Sequence, residues 1–308
     1  MHADHGHSHG AGTARVLRFS LVLTVIYIVV LVIAGVRARS LALLSEAGHN
    51  ISDFLALLLS WFAVYLQDRP PSATKTFGYH RAGVVAAFIN ASSLVLIALL
   101  IFYEAIKRFY RPEPVQPGVM MWAAAAGVVL NGTISLLLMR RHGDLNIRSA
   151  LVHEIGDTLS TAAVLAGGWI ILLTGKTWID PALSIAIGGM ILWSSFGIIR
   201  ESLNILLEGT PRGVNLQEIV AEVSAVPGVN DVHDLHVWSI GSDTHALSAH
   251  IAIADIPPSE SDEIMAGVRE ILASKFGIHH TTIQFESVVC EIAHGCVLPV
   301  HGQHRHSH

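Results

Sequence analysis

The sequence predicts an α-helical membrane protein of six transmembrane helices followed by a cytoplasmic domain of order αββαβ. Three observations carry this. Hydrophobic residues make up 52% of the 308 and charged residues only 14%, with a mean hydropathy of +0.53, too apolar for an ordinary soluble chain. The apolar residues come in runs of about twenty, the length that crosses a bilayer core. After residue 200 those runs stop, and shorter segments punctuated by Gly and Pro replace them.

The runs occupy 16–36, 41–66, 82–103, 118–139, 149–173 and 178–199. The first is too long for a signal-peptide core and lacks a convincing cleavage site, so it is read as retained. An even number of spans puts both termini on one side. The terminal and even-loop segments carry Arg15, Arg18, Arg69, Lys75, Arg81, Arg140, Arg141, Arg148 and Arg200. Opposite them stand Arg37, Arg39, Lys107, Arg108, Arg111 and Lys176, a modest bias favouring cytoplasmic termini, with the third loop KRFYRPEPVQP running against it. The second and fifth spans are then antiparallel, each the middle helix of a three-span half. That arrangement hints at an inverted repeat with its site near the midplane.

Those two spans carry the chemistry. Each holds a His and an Asp four residues apart, His49 and Asp53 in SEAGHNISD, His153 and Asp157 in VHEIGD. A carboxylate at the centre of a membrane helix costs roughly 2.5 to 3.5 kcal/mol on insertion scales, so something must offset it. Residues four apart differ by about 40° in azimuth and 6 Å in height, so each pair points into one small volume. With antiparallel helices His49 is level with Asp157 and Asp53 with His153. Two imidazoles and two carboxylates are a suitable zinc set, of charge −2 empty and 0 with the ion. Polar pairing that merely holds helices together explains one such pair, whereas two identically spaced pairs at membrane depth point to an ion. Glu46, Asn50 and Glu154 nearby read as helix-interface or pathway residues, and Asp180 before Pro181 as the N-cap of its own helix.

In the tail, 215–226 reads as an amphipathic helix opened by Asn215, 229–240 and 243–254 as strands, 259–276 as a helix and 279–286 as a third strand. His250, Gln284 and Glu286 fall on the polar face, opposite Leu247, Ile251, Ile283 and Phe285. The net charge of −5 forms no basic stripe, which argues against a nucleic-acid partner. Two cysteines, Cys290 and Cys296, cannot build a disulfide framework. The 19 histidines cluster in HADHGHSHG at the start and HGQHRHSH at the end, low-complexity tracts that attract metal.

Six spans, paired HxxxD motifs, TFGYHR before the third span, LLEGTP after the sixth and HDLHVW in the tail resemble the cation diffusion facilitator family, specifically its zinc-type bacterial exporters. The resemblance implies a homodimer with ferredoxin-like cytoplasmic domains, in the bacterial inner membrane. It maps a transport site onto His49, Asp53, His153 and Asp157, with the second-span His associated with zinc preference over broader zinc and cadmium use. It maps an intersubunit zinc site onto His233, His250 and Glu286, although Gln284 stands at one ligand position. It matches Arg81 and Glu208 to a basic and an acidic position linking membrane and tail domains. A further family site before the third span is not expected, because Lys75 and Tyr79 stand where histidines would be; His80 is read as a loop histidine. The implied organisation is a His-rich tail (1–15), a transport domain (16–200), a dimerisation and metal-binding domain (201–290) and a Cys/His-containing tail (291–308).

The leading reading is a non-enzymatic antiporter moving Zn²⁺ outward against H⁺. A protonated imidazole cannot ligate, and its ordinary pKa of about 6.5 makes proton and zinc competitors in the physiological range. The alternatives are an intramembrane metalloprotease using His153 with Glu154 as base, or a membrane-anchored zinc sensor. Cys290, His294 and Cys296 are either zinc ligands completed by the N-terminal histidines or free thiols. His236, His245, His279 and His280 read as structural or solvated.

Overall fold

The computed structural model describes residues 9–67, 69–139, 145–241 and 244–287. Six long helices come first: α1 (His9–Ala38), α2 (Leu41–Gln67), α3 (Ala82–Tyr110), α4 (Pro117–Met139), α5 (Leu145–Thr174) and α6 (Ile179–Leu206). α2 to α6 are each long and apolar enough to cross a membrane, and α1 contributes the apolar stretch Leu23–Ala38. α2, at 27 residues, is about 40 Å long against a hydrocarbon core of about 30 Å. The helices outrun the apolar runs that announce them. α3 continues seven residues beyond 103, where Glu104 pairs with Lys107 at 3.1 Å and with Arg108 at 3.8 Å, three and four residues on. α6 likewise runs to Leu206 rather than stopping at 199, and α1 begins at His9, inside the segment expected to be a tail. Hydropathy marks the part of a helix in lipid, while backbone hydrogen bonding continues into water wherever good helix formers follow.

The chain divides into two compact units, 1–62 with 86–199 and 63–85 with 200–308. In the first, Leu31, Leu43, Met120, Val164 and Ile191 pack a common core. Trp61, Leu96 and Trp193 point outward, Trp193 being 87% exposed, as residues whose solvent is lipid must. α1 and α4 approach closely at Gly127, where a Cβ would lie 1.9 Å from the Tyr27 hydroxyl, so any larger residue would have to displace the Tyr27 side chain.

In the second unit α7 (Leu216–Ser224), β1 (Val229–Ser239), β2 (His245–Ile253), α8 (Pro258–Phe276) and β3 (His280–Glu286) follow in the order αββαβ. The sheet order is β1-β2-β3, with β2 antiparallel to β1 and parallel to β3. Asn215 caps α7, its Oδ1 accepting from Gln217 N at 3.0 Å, and Gly277 ends α8 in the left-handed conformation, φ 65°. Ile219, Leu247, Ile251, Val268 and Leu272 form the core, which leaves the other sheet face for polar side chains.

Candidate metal centres

In the membrane unit, His49, Asp53, His153 and Asp157 form one cluster whose ligand atoms all lie within 4.8 Å of one another. His49 Nε2 is 2.9 Å from Asp157 Oδ1, and His153 Nε2 is 3.5 Å from Asp53 Oδ2. A descending register of this kind, 49 with 157 and 53 with 153, requires α2 and α5 to be antiparallel. Along each helix the His–Asp separations are 3.5 and 3.6 Å. Imidazoles and carboxylates therefore alternate around a ring. Ligand atoms on a tetrahedral zinc stand about 3.3 Å apart. Three edges of the ring are within a few tenths of an ångström of that, and the fourth is a hydrogen bond that an ion would open.

Two cavities of about 380 Å³ each reach the cluster and share Asp53, His153 and Asp157 in their walls. One extends past Asn50, Leu57, Ser60 and Asn131, with Glu154 in its lining; the other runs past Asn90, Met190 and Ile198. His153 is 51% exposed and Asp157 only 15%, so the approach is from the side of His153 and the C-terminal half of α2.

At the opposite end of α2 the structure corrects the expectation for Asp180. It does not cap its own helix. Its carboxylate accepts from Ser40 Oγ at 2.5 Å, Leu41 N at 2.8 Å and Ala42 N at 3.2 Å, so it caps α2 from across the bundle. Arg108 Nη1 lies 3.5 Å from it and also donates to the carbonyl of Arg39, a residue at φ 51° in the α1–α2 turn. The physical reason is that Ile179 already begins α6, leaving Asp180 inside the first turn, where its side chain is free to serve a neighbouring helix end. Nothing in the local sequence announces a partner 140 residues away.

The second unit holds another cluster, His233, His250 and Glu286. His233 and His250 are opposed in the β1–β2 register, and Glu286 ends β3 beside them. His233 Nε2 is 3.2 Å from Glu286 Oε2, and His250 Nδ1 is 2.9 Å from Glu286 Oε1. Gln284 donates to Glu286 Oε1 at 3.0 Å, so it steadies the carboxylate. Two aspartates escaped the sequence reading. Asp231 Oδ2 holds His233 Nδ1 at 3.0 Å, and Asp234 stands 3.7 Å from His250 Nε2 and 3.1 Å from His236 Nε2. Asp231 was findable, being two residues before His233 on a strand and hence on its face. Asp234 was not: it sits at φ 49° in a bulge between His233 and His236 that alternation does not reveal.

Also in this unit, Arg81 Nη2 lies 3.3 Å from Glu208 Oε1 and donates to Ser239 O at 3.4 Å. The His80 carbonyl accepts from Gln67 at 3.3 Å and crowds Gly241, where a Cβ would be 3.1 Å from it. His245 meets Ser239 Oγ at 3.2 Å, and His280 packs edge-on against Phe77. Cys290, His294, Cys296, the whole C-terminal histidine tract and residues 1–8 of the N-terminal one lie outside the described residues.

The profile of the cation efflux transmembrane domain matches residues 17–207, and that of the cation efflux protein cytoplasmic domain matches 211–288. The chain belongs to the cation efflux family. It is 36% identical over 294 residues to the metal cation efflux system protein CzcD of Cupriavidus metallidurans, covering 95% of this chain and 93% of that one. It is 37% identical over 287 residues to the cadmium, cobalt and zinc/H(+)-K(+) antiporter of Bacillus subtilis, covering 92% of each. It is 37% identical over 297 residues to zinc transporter ZitB of Escherichia coli, covering 93% of each. With its apolar helices, the chain is a multi-pass membrane protein.

Proposed function

We propose that this protein is a homodimeric, proton-coupled antiporter that carries Zn²⁺, and to a lesser degree other divalent transition metals such as Cd²⁺, out of the cytoplasm. The observation that carries the reading is the alternating ring of His49, Asp53, His153 and Asp157, in two helices, at the end of two cavities. Two carboxylates neutralise a divalent ion in low dielectric, and two imidazoles exchange the ion for protons. With both termini cytoplasmic, the C-terminal end of α2 faces inward, so the cavities open the site to the cytoplasm while Asp180, Ser40 and Arg108 pack the outer end. Alternating access then needs only a rocking of helices about fixed ligands. The relatives named as zinc and cadmium, cobalt and zinc transporters support the substrate class.

The domains divide this work at 16–200 for transport and 201–290 for the cytoplasmic module. His233, His250 and Glu286 hold a second zinc there as a resident ion, with Arg81 and Glu208 linking that module to the loop before α3. The test is zinc flux in sealed proteoliposomes with voltage clamped by ionophore. An inward proton gradient accelerates zinc export; equal rates with the gradient in either direction would leave passive facilitation instead.

A further inference from the structure

One buried carboxylate near the transport ring is not part of it. Glu46 is fully buried, three residues before His49 on α2, and no transport step above uses it. A carboxyl group is buried in a membrane protein only where specific partners offset the loss of water. Here the partners are on α5. Ser160 Oγ donates to Glu46 Oε2 at 3.0 Å, and Thr161 Oγ1 lies 2.5 Å from Oε1. Thr161 Oγ1 is also 2.8 Å from the carbonyl oxygen of Asp157, and Asn131 of α4 donates to it at 3.5 Å. The two carboxylate oxygens thus grip two adjacent hydroxyls, one of which touches the backbone turn that carries a ligand of the ring.

The spacing gives this grip a consequence. Glu46 precedes His49 by three residues, and Ser160 and Thr161 follow Asp157 by three and four. In antiparallel helices both offsets run the same way, so the grip sits about one turn, roughly 5.4 Å, from the His49–Asp157 pair. That pair is the closest edge of the ring, at 2.9 Å. A slide of α2 along α5 by even part of a residue would break the ring's edge-to-edge match, and the grip opposes that slide at its nearest point.

We propose that Glu46 is a positioning residue of the transport site, clamping α2 to α5 through Ser160 and Thr161 so that the two ligand pairs keep zinc-sized spacing. This rests on the transport-site reading above. The clamp acts on binding geometry and on metal preference: with it in place the ring suits the smaller Zn²⁺, and without it the ring widens to admit Cd²⁺.

The experiment is metal uptake by reconstituted protein, with KM and Vmax measured separately for Zn²⁺ and Cd²⁺, alongside zinc affinity of the purified protein against a chelating dye. Glu46→Ala raises the zinc KM and weakens zinc affinity roughly tenfold, with Vmax per folded dimer changed less than about twofold and the preference for Zn²⁺ over Cd²⁺ reduced. Glu46→Gln, which keeps the shape and one acceptor oxygen, recovers most of the loss. Ser160→Ala with Thr161→Val removes the donors without touching any charge and gives the same shift, so a failure of Glu46→Ala to fold leaves the clamp testable. Adding Glu46→Ala to that pair causes no further change in KM. Independent, multiplying effects of the two sets, or an unchanged zinc KM and metal preference in either, would overturn the clamp. Asp157→Ala is the control: undiminished flux there would refute the transport site itself, and the clamp is then decided by the dye-measured zinc affinities alone.

Discussion

The two His/carboxylate clusters use the same ligand chemistry in opposite settings. In the membrane ring, two carboxylates and two imidazoles alternate, and a bound divalent ion would bring their total charge to zero. Among the described residues, neither His49 nor His153 has a carboxylate on its Nδ1. In the cytoplasmic cluster His233 is 7% exposed, its Nε2 faces Glu286 and its Nδ1 is held by Asp231. A carboxylate behind a ligating imidazole fixes its tautomer and orientation and raises its basicity, which suits an ion that stays. Imidazoles without one are free to exchange metal for protons, which suits an ion that leaves. The membrane ring takes its order from how its helices are anchored, the cytoplasmic cluster from its own hydrogen bonds.

The sharpest way to break this contrast is Asp157→Ala. It leaves three ligands and a net positive bound site in low dielectric, at a cost of roughly 3 to 5 kcal/mol, so flux falls by two orders of magnitude or more. The dimer persists by sedimentation, and the cytoplasmic cluster still titrates zinc; loss of both together would mean that the clusters are not separable. Next comes Asp231→Ala, read by zinc titration in the Asp157→Ala background. Removing the group behind His233 weakens cytoplasmic zinc affinity about 10- to 100-fold, and an unchanged affinity would remove the distinction drawn between the two clusters.

Asp180→Ala has the smallest effect and tests the other half of the comparison. It strips the first turn of α2 of its acceptor and leaves Arg108 without its buried partner, a loss of roughly 1 to 3 kcal/mol. The melting temperature of the purified protein falls by several degrees and zinc KM in proteoliposomes rises a few-fold, while cytoplasmic zinc affinity stays as in the parent. A variant that melts as the parent does would show that the cross-bundle cap contributes nothing to placing α2.

Much of this was legible in advance because it depends on period. Helix periodicity puts His49 with Asp53 and His153 with Asp157 on single faces, and the odd number of crossings from α2 to α5 makes them antiparallel, which sets His49 level with Asp157 and Asp53 level with His153 once the two helices pack. Strand alternation puts His250 and Glu286 on the polar face, whereas His233 came from the family resemblance and its pairing opposite His250 is a matter of register that the structure supplies. Runs of apolar residues give the number of helices but not their ends, since α3 and α6 continue as helices past the ends of those runs.

By itself, then, the sequence determined the six apolar helices, the αββαβ tail and the faces that carry His, Asp and Glu, all consequences of local period and of the expense of charge in lipid. Only the tertiary structure decided that Asp180 serves α2 rather than α6, that Glu46 turns toward Ser160 and Thr161 rather than toward the ring, and that a bulge delivers Asp234 to His250. These are choices among partners of equal chemical merit. They are made by which helix end or hydroxyl lies within about 3 Å of a side chain once the bundle has packed, and no spacing along the chain carries that distance.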